Sequence, residues 1–200
     1  MFFDPMTLSS KACYKFVIGA IQPRPIAWVS TTAPDGTLNV APYSFFTAAS
    51  VDPLVLMFSP QVPAVGERKD TLNNIRSLPE FVINITNEET MLAMSKSAAL
   101  LPPDQSEFDY AGLTAAKSET ISVPRVAEAP LAFECKLRQI VEIGVNPMGG
   151  AVVFGDVTGI YAREDVFVEG YVVREALKPI GRLAGNNYVR VTDVFEMERG

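Results

Sequence analysis

The chain contains no histidine, and this removes the imidazole on which most hydrolase mechanisms depend near neutral pH. Its only cysteines, Cys13 and Cys135, lie far apart and outside any metal-ligand spacing, so zinc or haem would find almost no side chains to use. One bridge between them is formally open, but nothing in the pattern demands it. Cys135 falls in an alternating segment, where a free cysteine serves as core filler. There is no excess of positive charge: Lys+Arg is 17 against Asp+Glu 23, a net charge of −6. That balance lacks the electrostatic footprint of a nucleic-acid binder or of a protein drawn to an anionic membrane. No apolar run approaches the roughly 18 residues of a membrane span. The opening Met1-Phe2-Phe3-Asp4-Pro5 carries neither the basic region nor the apolar core of a signal peptide. The expectation is a soluble, cytoplasmic protein. No Gly-x-Gly-x-x-Gly follows a strand pattern, so no Rossmann nicotinamide site is indicated.

What is present is a 200-residue chain, 48% hydrophobic, with twelve phenylalanines and six tyrosines. Those numbers suit one domain over residues 1–200 with a sizeable core built from strands. Residues 11–21 fit either a helix or a strand. Residues 26–32 read as a buried strand, with residues 37–47 as its hairpin partner across Pro34-Asp35-Gly36. Leu54-Val55-Leu56-Met57-Phe58 follows the break at Asp52-Pro53 as a core strand. Asp70 can cap a short helix whose apolar face is Leu72, Ile75 and Leu78. Residues 81–85 give another strand, and Thr86-Asn87-Glu88-Glu89 has the form of a capping box for a helix reaching about residue 100. Residues 131–138 alternate, with the apolar set inward and Glu134, Lys136 and Arg138 outward. Residues 151–161 form a strand kinked at its glycines. Many strands and few helices predict a β-barrel with peripheral helices.

Four segments can carry chemistry. Arg68-Lys69-Asp70-Thr71 places a cation and a hydroxyl at a helix start, where unpaired N–H groups and the helix dipole attract phosphate. The same residues equally fit an ordinary solvent-exposed capped helix. Ser59, at the end of the preceding strand, can join them. Asn39-Val40-Ala41-Pro42-Tyr43-Ser44-Phe45-Phe46-Thr47 supplies hydroxyls and aromatics, and Pro42 belongs at an edge or bulge that frees neighbouring backbone groups. Alternation would send Tyr43, Phe45 and Thr47 to one side and Ser44 and Phe46 to the other. A core hairpin explains that stretch as well as a ring-binding wall does. Arg24, held between two prolines, can pin a phosphate or the edge of a polar ring, or pair with a carboxylate. Trp28 reads as core before it reads as a stacking platform. Gly181-Arg182-Leu183-Ala184-Gly185-Asn186-Asn187-Tyr188 makes a loop able to approach a ligand or a partner subunit. Asn146-Pro147-Met148-Gly149-Gly150 fits a mobile loop better than a phosphate cradle.

In this order and spacing, Arg24-Pro25-Ile26, the Asn39–Phe46 stretch, Lys69-Asp70-Thr71-Leu72-Asn73-Asn74-Ile75 and the Gly181–Tyr188 stretch resemble the flavin reductase-like family. The resemblance runs from about residue 23 to residue 188. It implies an FMN-binding split β-barrel and a homodimer with flavin sites near the subunit interface. It implies that Ser44, Phe45, Phe46 and Thr47 lie along the isoalloxazine and ribityl chain, with Arg24, Asn39 and Tyr43 among the binding residues. Ser59, Lys69, Asp70 and Thr71 would surround the phosphate, and Asn186 and Asn187 would lie near the flavin. No protein residue is expected to be catalytic, because the flavin itself accepts hydride or electrons and the protein supplies orientation and electrostatics. No metal is expected. NADH or NADPH would be the donor; the alternative is a flavoredoxin-like carrier that exchanges electrons with protein partners. Two departures stand out. Ala184 replaces a glycine of the usual Gly-Arg-Leu-Gly-Gly. The Gly-Asp-His segment of many NAD(P)H-dependent members is absent from residues 146–150, which counts against direct NAD(P)H oxidation and leaves FMN binding untouched.

Overall fold

A computed structural model describes residues 1–61, 69–102 and 104–198. After a 3-10 turn at Pro5–Thr7, helix α1 spans Ser10–Ala20, with Ser9 Oγ accepting from the Ala12 N–H. Strands β1 (Ala27–Thr32), β2 (Leu38–Tyr43), β3 (Phe46–Val51) and β4 (Leu54–Phe58) follow. Next come α2 (Asp70–Ser77), β5 (Glu80–Ile85), α3 (Met91–Lys96) and α4 (Glu107–Ala111). The short β6 (Ala115–Ala116) and β7 (Arg125–Val126) pair, and the long β8 (Leu131–Glu142) and β9 (Ala151–Ala162) form the main hairpin. The chain ends with β10 (Phe167–Val168), β11 (Tyr171–Val172), α5 (Arg174–Leu177), β12 (Ile180–Arg182) and β13 (Tyr188–Arg190).

The main sheet has the order β2-β1-β5-β8-β9-β4-β3, antiparallel throughout. Its two edges, β2 and β3, are consecutive in the chain and joined only by Ser44 and Phe45. Six strand spacings would hold the edges of a flat sheet roughly 29 Å apart. The step from Tyr43 to Phe46 spans at most about 10 Å. The sheet must therefore curl until its edges meet, leaving a split where Ser44 and Phe45 cross. The Tyr43 and Phe58 rings, from opposite ends of the sheet, lie 5.1 Å apart between centroids. Sequence alternation could not reveal this break: residues 37–47 read as one strand, but they end one edge and begin the other.

Period-2 alternation gives β1 two buried faces. Ala27 and Val29 join Phe58, Phe81, Ile83 and Ile75 inside the barrel. Trp28 and Ile26 pack outside it with Val40, Met94 and Phe108 beneath α3 and α4. Trp28 is therefore core, and its Nε1 donates to Ser97 Oγ at 2.8 Å. Cys135 is also core, where burial pushes its thiol up. The kinks expected in β9 appear as two register shifts, beside the pairings Leu137–Gly155 and Glu134–Gly159.

Three local expectations need correction. Lys69, not Asp70, is the N-cap of α2, and Asp70 is the first helical residue. The expected capping box does not form. Asn87 Oδ1 instead accepts from the N–H groups of Glu89 and Thr90, and Glu89 pairs with Arg163. The helix accordingly starts at Met91 and ends at Lys96, well short of residue 100. Glu134 is not outward: it is 3% exposed, while Lys136 is solvent-facing as expected. A register shift at Glu134/Cys135 turns the carboxylate under the 118–122 segment, where it accepts from the Glu119 N–H, the Thr120 N–H and the Thr120 hydroxyl. Burial alone would raise its pKa, but those donors outweigh it and hold the carboxyl below its ordinary value. A group depressed in the folded state contributes stability above its unfolded pKa and loses it as pH falls through the folded one. Glu134→Gln should therefore cost about 1–2 kcal/mol at neutral pH. The gap should close as pH drops below about 4.5, the ordinary value, in urea unfolding followed against pH. A gap independent of pH would refute the assignment.

Candidate functional site

The split opens onto a cleft of about 270 Å³. Arg24, Tyr43, Ser44, Phe45, Ser59 and Lys69, all expected from the sequence, line it together. They come from the segment before β1, the β2–β3 crossing, the end of β4 and the start of α2, so barrel closure brings them together.

Arg24 is 4% exposed and makes four hydrogen bonds. Its Nε donates to Ser44 Oγ (3.2 Å), Nη1 to the carbonyls of Ile18 (3.0 Å) and Ile21 (2.8 Å), and Nη2 to the Leu183 carbonyl (3.0 Å). It forms no ion pair with a described carboxylate. Its work is to tie α1, the β2–β3 crossing and the loop after β12 around the cleft. Arg24 and Arg182 exchange backbone hydrogen bonds of 3.0 and 2.8 Å. That approach needs Gly181, where a Cβ would stand 2.9 Å from Pro23 Cβ. Burial lowers the Arg24 pKa, Tyr14 opposes the shift and neighbouring Arg182 adds to it. Arg182 itself reaches the Gly185 carbonyl at 2.6 Å and lies 4.5 Å from the Tyr188 ring centroid.

With Lys69, the cleft wall thus carries three cations and, among the described residues, no carboxylate. In a chain of net charge −6 this is a local reversal of sign. The start of α2 reinforces it, because no side chain caps it among the described residues and the positive end of its dipole adjoins Lys69. Arg68 lies outside the described residues.

The other expected residues stand elsewhere. Thr71 is 1% exposed; its hydroxyl accepts from Tyr43 Oη (2.9 Å) and donates to Asn39 Oδ1 (2.8 Å). Asn39, Asp70 and Thr71 line a smaller hollow of about 230 Å³ that shares Pro42, Tyr43, Lys69 and Ala98 with the cleft. Phe46 packs against the barrel core, and Thr47 is exposed on β3. Asn186 and Asn187 are exposed at the β12–β13 turn and do not line the cleft; Leu183, Gly185 and Tyr188 from the same turn do. Gly185 has φ +61°, so the residue that needs glycine is still glycine and Ala184 sits beside it. Tyr14 and Ile18 of α1 also line the cleft. Their spacing of four was the available signal, had residues 11–21 been read as a helix. Among the described residues no cluster of His, Cys, Asp or Glu could hold a metal, and no helix is long and apolar enough to cross a membrane.

A closed antiparallel sheet split beside a cationic cleft defines the class, and comparison with known proteins gives the family. A family model described as flavin reductase like domain matches residues 20–179. Nitrilotriacetate monooxygenase component B from Bacillus cereus is 38% identical and superposes with a TM-score of 0.94 over 98% of both chains. The 2-nitrobenzoate 2-nitroreductase of Pseudomonas fluorescens is 32% identical, with a TM-score of 0.90 over 100% of this chain and 96% of that one. A split-barrel-domain protein of Shewanella frigidimarina shares the fold, with a TM-score of 0.83 at 19% identity over the whole of both chains. The chain belongs to the flavin reductase-like family and has its split-barrel fold.

Proposed function

We propose that the protein binds FMN in this cleft and acts as a flavoprotein oxidoreductase, passing electrons or hydride between NADH or NADPH and flavin. The observation that carries this reading is the cleft beside the start of α2, whose described lining holds three cations and no carboxylate, which suits a phosphate monoester. Lys69 and the first-turn N–H groups of α2 would hold the phosphate, with Ser59 beside them. Ser44 and Phe45 would face the ribityl chain and ring. Bound flavin supplies hydride and electron transfer. The chain binds and orients it, and the apolar walls of Ile18, Ile26 and Met94 keep water from one side of the cleft. The kinship with a monooxygenase component and a nitroreductase, both above 30% identity, supports redox work of this kind.

The working unit in this reading is a homodimer. Large apolar side chains at both ends of the chain are exposed, among them Phe2 (91%), Phe195 (77%) and Met197 (78%). A second copy would cover such a surface. Sedimentation of the flavin-loaded protein should give a dimer; a monomer that retains flavin would contradict this.

Anaerobic addition of NADH and then NADPH to the FMN-loaded protein tests the reaction. Bleaching by either nucleotide supports the reductase and names its donor. No bleaching by either, with rapid reduction by a protein partner, would favour the flavoredoxin-like carrier. The absence of any histidine in residues 146–150 is the feature that keeps that second reading in view.

A further inference from the structure

Behind the cleft, a buried carboxylate is wired to its anion-binding wall. Glu107, the first residue of α4, is 5% exposed and does not line the cleft. Its Oε2 accepts from Asn39 Nδ2 at 2.8 Å and from the Val40 N–H at 3.4 Å. Asn39 Oδ1 in turn accepts from the Thr71 hydroxyl at 2.8 Å and the Thr31 hydroxyl at 3.3 Å, and Asn74 of α2 donates to Thr31 at 3.1 Å. Thr71, in the first turn of α2, accepts from Tyr43. The resemblance places Asn39 and Thr71 among the ligand contacts; in the structure their side chains hydrogen-bond to one another.

The direction of this chain is set at its far end. A carboxylate is an acceptor only, and an amide must present nitrogen to it. If the Asn39 side chain flipped, its oxygen would face Glu107 oxygen at hydrogen-bond distance. Its nitrogen would then meet two hydroxyls that now donate. Glu107 thereby fixes which way Asn39 points, and Asn39 fixes where the Thr71 hydroxyl goes. Such a buried hydrogen-bonded network holds its members in one arrangement.

We propose that Glu107 is a positioning residue for the phosphate wall of the cleft, holding the first turn of α2 and Lys69 in place through Asn39 and Thr71. This rests on the reading of the cleft as an FMN site. Asp70 and Lys69 of α2 share the hollow with Glu107, and Asp35 of the β1–β2 turn and Asp70 border its other side. The carboxylate therefore contributes through the hydrogen-bonded chain, not as a counter-charge for an anion.

Comparison of FMN with riboflavin, which lacks only the phosphate, isolates the effect. The wild type should bind FMN more tightly than riboflavin. Glu107→Leu should weaken FMN about tenfold, the size of one net hydrogen bond, and riboflavin less than about twofold. Glu107→Gln, whose amide oxygen still accepts from Asn39, should stay within about twofold of wild type for both. If Glu107→Leu does not fold, Thr71→Val cuts the chain at near-constant volume and should show the same phosphate-confined loss. The proposal is overturned if the leucine variant keeps its FMN affinity, if both flavins weaken equally, or if glutamine rescues nothing. A wild type that holds riboflavin as tightly as FMN would instead remove the phosphate reading of the cleft, and the proposal with it.

Discussion

Lys69→Glu is expected to weaken FMN binding about a hundredfold, in a titration following flavin fluorescence. Lys69 is the N-cap of α2 and lines the cleft beside Arg24 and Arg182. A charge-assisted hydrogen bond to phosphate contributes about 1.5–3 kcal/mol, and its loss alone is a factor of roughly 10 to 150. Reversal adds a carboxylate at the one helix end where the dipole favours the ligand's negative charge. Arg24 is already committed to three carbonyls and Ser44, so it cannot swing over to replace the lost cation. Lys69→Met should fall between the variant and wild type. Unchanged FMN affinity in the glutamate variant would remove the phosphate from this helix start.

Arg24→Met is expected to destabilise the fold by about 3 kcal/mol. For a chain of this length, that is a fall of roughly 6–12 °C in the melting temperature. The substitution keeps an apolar stem of similar length but leaves the carbonyls of Ile18, Ile21 and Leu183 without their donor. Those carbonyls belong to α1 and to the loop after β12, which hold Tyr14, Ile18 and Leu183 against the cleft. FMN affinity should fall as these walls loosen. Arg24→Lys should rescue little, because an ammonium cannot reach in the planar, forked geometry of the guanidinium. A melting temperature within about 2 °C of wild type for the methionine variant would contradict the tie between these segments.

The sequence made the barrel strands legible because burial writes itself into the side-chain pattern, as a short apolar run at β4 and as alternation at β8. What it hid was non-local. Residues 37–47 look like one strand, yet barrel closure requires a break at Ser44 and Phe45, and closure depends on the other five strands. Glu134 reads as outward by its parity; a register shift and the donors of a distant segment turn it inward. Residues 11–21 are ambiguous between helix and strand because apolar side chains crowd the segment and α1 buries none of its residues, so the Tyr14–Ile18 spacing that faces the cleft does not stand out.

The site divides along the same line. Arg24, Ser44, Phe45, Ser59 and Lys69 were visible as residue types suited to a phosphate and a polar ring, and the structure brings them to one cleft. Within the Gly181–Tyr188 stretch, Asn186 and Asn187 are exposed away from the cleft, while Arg182, Leu183, Gly185 and Tyr188 line it. Nothing local in Asn39 or Thr71 reveals that Glu107, some 68 positions from Asn39, takes up the amide.

Direct titration of the purified, flavin-free protein with FMN, read by the visible spectrum and by quenching of flavin fluorescence, tests the central claim most directly. Saturation at one FMN per chain, with a perturbed flavin spectrum and weaker binding of riboflavin, is the predicted result. A protein that leaves the spectrum of added FMN unchanged at every concentration would contradict it.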